Sequence, residues 1–104
     1  MAVLTAMRGF PGSGKSALAR KLAEETGAVV VCRDDLRMML HGTYHSGKRD
    51  FEDEVTVAET AQVTAFLRAG KSVIIDACHL EPRYLRKWAK LAAQLGADFE
   101  RVDV

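Results

Sequence analysis

The residues with the clearest chemistry are Gly9-Phe10-Pro11-Gly12-Ser13-Gly14-Lys15-Ser16, which fit the pattern GxxxxGK[ST]. Gly9, Gly12 and Gly14 admit backbone conformations closed to residues with a β-carbon, so successive amide N–H groups of the loop, Ser13 among them, can point inward at phosphate oxygens. Pro11 stiffens the turn. Lys15 then serves as a point charge on the β- and γ-phosphates and Ser16 as a ligand of Mg²⁺, while a helix starting here turns its positive end to the anion. The expected ligands are ATP and Mg²⁺.

Two further clusters suit the same reaction. Arg33-Asp34-Asp35-Leu36-Arg37 follows an apolar run. Phosphoryl transfer to a hydroxyl needs a carboxylate that positions the acceptor and takes its proton, and Asp34 and Asp35 both offer one. Adjacent aspartates at a helix start also act as caps and dipole partners, so spacing alone leaves both uses open. Asp76 closes the run Val73-Ile74-Ile75, where an acid can reach the Mg²⁺ shell through water. His41, His45, His79 and Cys78 match no zinc spacing, and Mg²⁺ prefers oxygen, so no histidine or cysteine metal site is expected. Lys48, Arg49, Arg83, Arg86, Lys87 and Lys90 suit either a nucleic-acid backbone or solvated helix faces.

These clusters need a scaffold. Val3 to Met7 is a strand-length apolar run, and Ser16 to Glu25 carries Leu and Ala at helical spacing up to Gly27. Ala28 to Cys32 reads as a strand buried on both faces. Asp34 or Asp35 can cap a short helix through Leu40, and residues 41–50 read as an exposed loop. Phe51 to Ala69 repeats apolar residues at Val55, Ala58, Ala61, Val63, Ala65, Phe66 and Leu67, with Gly70 as the C-cap. Residues 72–76 form a third strand pattern. Pro82 opens a helix whose stripe is Leu85, Trp88, Ala89, Ala92 and Leu95, which places Trp88 in the core, and residues 98–104 are the last strand candidate. Such alternation predicts an α/β fold, a mostly parallel sheet with helices on both faces joined by right-handed crossovers. Gly9, Arg33 and Asp76 would then all fall at the carboxyl ends of strands, where such sheets bind ligands.

At 104 residues, 48% hydrophobic and 28% charged, the chain suits one globular domain. Lysine plus arginine at 15 nearly balances 14 acids, so nucleic-acid contact would be local rather than driven by a global field. No run approaches the roughly 18 apolar residues of a membrane span, and the N-terminus lacks a signal-like core, so the expectation is a cytoplasmic protein without membrane contact. Cys32 and Cys78 have no ligand-like spacing and are expected to be reduced.

Taken together, GFPGSGKS, RDDLR and VIIDACHLEP resemble the P-loop polynucleotide 5′-kinases, especially the kinase domains of bacteriophage and bacterial end-healing enzymes. The resemblance implies a three-layer P-loop NTPase fold with a mostly parallel sheet of about four strands, and ATP-dependent transfer to the 5′-hydroxyl of DNA or RNA. It makes Asp34 the general base, Arg37 the grip on the acceptor strand's phosphate, and Asp76 the acid of the family's V-I-x-D-A-T-N-L, with Cys78 and His79 in place of threonine and asparagine. The likeness runs from Leu4 to Val104. In the family another strand, a lid with arginines and a loop over the adenine follow. The expectation is therefore an N-terminal part of a kinase domain lacking the lid and last strand, a domain completed by a partner chain or a second copy, or a degenerate remnant. Two alternatives stay open: a kinase of a small-molecule hydroxyl, since one scaffold hosts many acceptors, and an ATP-binding module without turnover.

Overall fold

Strands and helices alternate as the apolar runs predict: β1 (Val3–Arg8), α1 (Lys15–Thr26), β2 (Val29–Cys32), α2 (Arg33–His41), α3 (Arg49–Arg68), β3 (Val73–Ala77), α4 (Pro82–Gln94) and β4 (Asp98–Asp103). The structure, a computed structural model, describes residues 2–9, 13–44, 48–77 and 81–104. The four strands form one parallel sheet in the order β2-β3-β1-β4. Leu4 lies level with Val73 on one side and Phe99 on the other, and Val73 with Val29.

Side chains alternate across this sheet, and the two faces bury different helices. Leu4, Ala6, Val31, Val73 and Ile75 join Val55, Val63 and Leu67 of α3 and Leu85, Trp88 and Ala92 of α4 in the larger core. Met7 and Ile74 take the opposite face against Ala19 of α1. Trp88 is 2% exposed, as its place on the apolar stripe predicts; truncating a buried aromatic to alanine typically costs about 3–5 kcal/mol.

Four local expectations are corrected. Strand β2, expected to be buried on both faces, lies at the edge of the sheet, where Val31 is buried and Val30 is exposed. Helix α2 begins at Arg33 directly after β2, with Cys32 at the N-cap and no side-chain cap, so Asp34 and Asp35 occupy the first turn instead of capping it. They still favour the positive helix end. Helix α3 starts at Arg49, inside the expected loop, and ends at Arg68 with Ala69 as its C-cap and Gly70 following at φ 79°. Its buried positions are Val55, Glu59, Val63 and Leu67, a four-residue spacing, so Ala61, Ala65 and Phe66 are exposed and a glutamate is buried. Among the described residues no helix is long and apolar enough to cross a membrane.

Candidate active site

The alternation of β3 decides where its acid goes. Ile74 packs on the α1 face, so Asp76, two residues on, meets the first turn of α1. Asp76 lies level with Met7 of β1 and Cys32 of β2, near the carboxyl edge of the sheet. There the Lys15 ammonium donates to Asp76 Oδ1, and Ser16 Oγ donates to Oδ2 at 2.9 Å. Lys15 and Asp76 are both buried. A one-residue register slip would turn Asp76 toward α3 and α4 and break both contacts.

The loop before α1 has glycine for two different reasons. Gly14 sits at φ 83° as the N-cap of α1, a left-handed conformation that a side chain strains. Gly9, by contrast, is not among the glycines with positive φ, which corrects the conformational reason expected for it. A β-carbon there would stand 2.9 Å from Ser13 Oγ and 3.2 Å from both Cβ and the carbonyl oxygen of Val104, so close approach excludes a side chain. Pro11 and Gly12 lie outside the described residues. Ser13 is exposed. Helix α1 has no side-chain cap and no acid in its first turn, whereas α2 and α3 carry two acids each there. Among the described residues no side chain caps its first N–H groups, the helix end that favours an anion.

Arg33 and Arg37, four apart on α2, face Glu52, Thr56 and Glu59 on one side of α3. The Arg37 fork donates from Nε to Glu52 Oε2 at 2.6 Å and from Nη2 to Glu52 Oε1 at 2.7 Å, while Nη1 holds Asp34 Oδ1. Hydrogen bonding to Glu52 raises the Arg37 pKa further, so the guanidinium stays charged. Arg33 donates to Glu59 Oε1 at 2.9 Å, Thr56 Oγ1 at 2.9 Å and the Glu52 carbonyl at 3.1 Å. Burial pushes the Glu59 carboxyl up, and the neighbouring Arg33 charge opposes that rise without cancelling it. Glu52 and Glu59 were missed in the sequence. Their signal was present: two arginines four apart and two glutamates seven apart are the spacing of two packed helix faces.

A cavity of about 220 Å³ opens beside Ser16, lined also by Arg20, Val30, Cys32, Asp34, Asp35, Tyr44 and Asp76. It joins three of the expected positions, Ser16, Asp34 and Asp76; Arg37 stands behind Asp34 and off the wall. Cys32 is a free thiol whose pKa is raised by burial and then by the charges of Asp76 and Asp35, though backbone N–H groups oppose this, so it stays protonated at neutral pH. Ser16 and Asp76 bring two oxygen donors together, a set that fits Mg²⁺, which typically takes one or two protein oxygens and completes its shell with water and substrate phosphates. No group of three or more His, Cys, Asp or Glu suited to a metal occurs among the described residues. His45, Cys78 and His79 are outside them. His41 stacks on Phe51 at 3.8 Å between ring centroids, Lys48 lies 5.0 Å over the same ring, and Lys87 donates to Thr60 Oγ1. Arg83 pairs with Glu81 at 3.0 Å. None of Lys48, Arg49, Arg83, Arg86, Lys87 and Lys90 lines the cavity.

A parallel sheet ordered 2-3-1-4, with a glycine loop entering a helix at β1 and an acid closing β3, defines a P-loop kinase fold. A family model described as an AAA domain matches residues 4–104, and the chain belongs to that family. Uncharacterized proteins of Mycobacterium tuberculosis and Mycobacterium bovis are 35% identical over 101 residues, covering 86% of this chain and 20% of each relative. The chain thus spans about a fifth of the length of these curated relatives. Among solved structures, a chain of the Pnkp1/Rnl/Hen1 complex is similar with a TM-score of 0.86 at 31% identity, covering 98% of this chain and 35% of that one. This agrees with the resemblance to polynucleotide kinases read from the motifs. A variant of the Mycobacterium tuberculosis APS kinase CysC is also similar, with a TM-score of 0.72 at 27% identity over 98% of this chain and 74% of that one. A gluconokinase from Sinorhizobium meliloti, at 22% identity, 98% and 56% coverage and a TM-score of 0.59, shares the fold.

Proposed function

We propose that this chain is the nucleotide-binding and acceptor-activating part of an ATP-dependent kinase whose acceptor is the 5′-hydroxyl of DNA or RNA. The observation that carries the proposal is the single cavity on which Ser16, Asp76 and Asp34 meet at the carboxyl ends of β1, β2 and β3. Lys15 and the loop amides from Gly9 to Ser16, Pro11, Gly12, Ser13 and Gly14 included, would hold the triphosphate. Ser16 and Asp76 would hold Mg²⁺, which when bound draws charge off the phosphate oxygens. Asp34 Oδ1 is fixed by Arg37, and Oδ2 accepts no hydrogen bond among the described residues, leaving it for the acceptor O–H. The acceptor oxygen forms a new P–O bond to the γ-phosphorus as the bond to the β,γ-bridging oxygen breaks. Asp34 takes the hydroxyl proton and releases it to solvent, and ADP leaves.

The likeness to a chain of the Pnkp1/Rnl/Hen1 RNA repair complex supports a nucleic-acid acceptor and a partner chain. The likeness to the APS kinase, with a net charge of only +1, supports the second reading, a small-molecule acceptor. One experiment separates them: transfer of γ-labelled phosphate from ATP to a 5′-hydroxyl oligonucleotide, its 5′-phosphorylated counterpart and a panel of small alcohols, for the wild type and Asp34→Asn. Label on the 5′-hydroxyl strand alone, reduced about 10²–10⁴-fold in the variant, is the expected result. Label on a small alcohol in preference would establish the second reading. Tight ATP binding with transfer to no acceptor would overturn both and leave a binding module.

A further inference from the structure

Helix α3 buries Val55, Glu59, Val63 and Leu67 and turns a second apolar stripe the other way. Glu54, Val57, Ala61, Ala65 and Arg68 are all exposed, Val57 at 69%. Along this side runs a groove of about 580 Å³ between the row Val57-Ala61-Ala65 and the row Thr56-Thr60-Thr64. Two of its hydroxyls are already bonded within the chain. Thr56 Oγ1 donates to the Glu52 carbonyl at 2.9 Å and accepts from Arg33, and Thr60 Oγ1 accepts from Lys87 at 3.1 Å. What these walls offer a partner is therefore mainly apolar.

Rows at a spacing of four are the ridges and grooves by which helices interlock, and their small side chains allow close approach, near the lower end of the usual 8–10 Å between axes. The charges say which helix fits. The stripe is symmetric about Ala61: Val57 and Ala65 stand four residues to either side of it, and Glu54 and Arg68 seven, one acidic and one basic. Arg68 makes no ion pair among the described residues. The Glu54 side chain is 62% exposed, with His41 Nε2 at 4.0 Å. A second copy turned antiparallel about a two-fold axis through Ala61 sets Val57 against the partner's Ala65 and Glu54 against the partner's Arg68, and repeats both contacts by symmetry.

We propose that this face of α3 is the interface of a homodimer, closed by that two-fold arrangement. A helix of 20 residues is about 30 Å long, and one such helix against its copy buries no more than the roughly 1,200 Å² at which stable interfaces begin, so the dimer is weak and concentration-dependent. None of the five stripe residues lines the cavity beside Ser16, so association leaves that cavity open.

The test is sedimentation velocity from low micromolar to submillimolar concentration, without nucleotide, on wild type, Val57→Asp, Glu54→Arg, Arg68→Glu and the doubly reversed Glu54→Arg/Arg68→Glu. Wild type should pass from monomer to dimer over this range. Each single variant should weaken association about tenfold or more, because two-fold symmetry applies every change twice and like charges then face each other. The double variant should regain the wild-type dimer, which no general loss of folding imitates; thermal melts of all five proteins check that each is folded. In parallel, Ala61→Cys should form a disulfide-linked dimer under mild oxidation, well beyond wild type and Ala93→Cys on exposed α4. A wild type that stays monomeric throughout overturns the proposal and leaves the face to a different partner. A dimer indifferent to the single changes, or a folded double variant that stays monomeric, overturns it as well.

Discussion

Removing one member of the Lys15–Asp76 pair should destabilise the protein far more than removing both. The two side chains are 7% and 3% exposed, so the solvent screening that holds surface pairs to about 1 kcal/mol or less does not apply. A buried charge left without its partner typically costs about 3–5 kcal/mol, whereas replacing the whole pair with apolar groups of similar volume is close to neutral. Lys15→Met leaves Asp76 with the Ser16 hydroxyl at 2.9 Å and should fall near the lower figure, about 3 kcal/mol. Asp76→Leu strands the ammonium and takes the acceptor from Ser16, which adds about 1 kcal/mol. The double variant should be more stable than either single one, with a coupling energy of about 4 kcal/mol or more. Against a total of about 5–15 kcal/mol, these are large fractions. Urea denaturation of the four proteins without nucleotide, at neutral pH, gives the cycle directly. A coupling below about 0.5 kcal/mol would show that the two groups do not share a dry site, and would refute the reasoning.

Two other predictions concern the α2–α3 contact. Because the folded-state pKa of Glu59 is raised above its ordinary 4.5, its contribution to stability is fully present below that value and is lost as pH rises through the folded pKa. Unfolding free energies measured from about pH 4 to pH 8 should therefore decline more in the wild type than in Glu59→Gln; the opposite slope would mean that pairing with Arg33 outweighs burial. Glu52→Gln keeps the shape but weakens the fork on Arg37, and since the Glu52 side chain is 33% exposed the cost should be about 1–2 kcal/mol in urea unfolding. In the proposed reaction the same change should lower kcat at saturating ATP while leaving the KM for ATP in place, and a variant with wild-type stability would show that the fork does not hold α2 to α3.

Strand β3 was legible because a strand covered on both faces writes a continuous apolar run, as Val73 to Ile75 do, whereas the equally apolar run of β2 lies at the sheet edge with only Val31 buried. Within the glycine loop, Gly14 was legible because its left-handed backbone dictates the residue type. The pairing of Asp76 with Lys15 was only half legible: the motifs bring both to one edge of the sheet, but the direction of each side chain comes from the register of β3 against β1. Helix α3 was misread in detail for a physical reason. Its alanines suit either face of a helix, so the apolar count did not fix which side was buried, and the spacing Val55, Glu59, Val63, Leu67 includes a carboxylate whose burial depends on Arg33, a residue distant in sequence. Gly9 shows the same limit. Its environment includes Val104, which no local pattern places beside it.

The pairings inside the site also bear on how a ligand would enter it. Lys15 and Asp76 satisfy each other, and a magnesium nucleotide offers each a replacement of the right sign: phosphate oxygens for the ammonium, and the cation for the carboxylate. Loading would then exchange one internal pair for two external ones, with no buried charge left unpaired at its end. The side proposed for the acceptor has no such symmetry. Arg33 and Arg37 face Asp34, Glu52 and Glu59, so that cluster already carries more carboxylates than guanidiniums and has no cation to give an incoming phosphate. Drawing Arg37 outward would cost its two bonds to Glu52 and release Asp34 from the position in which a base would be useful.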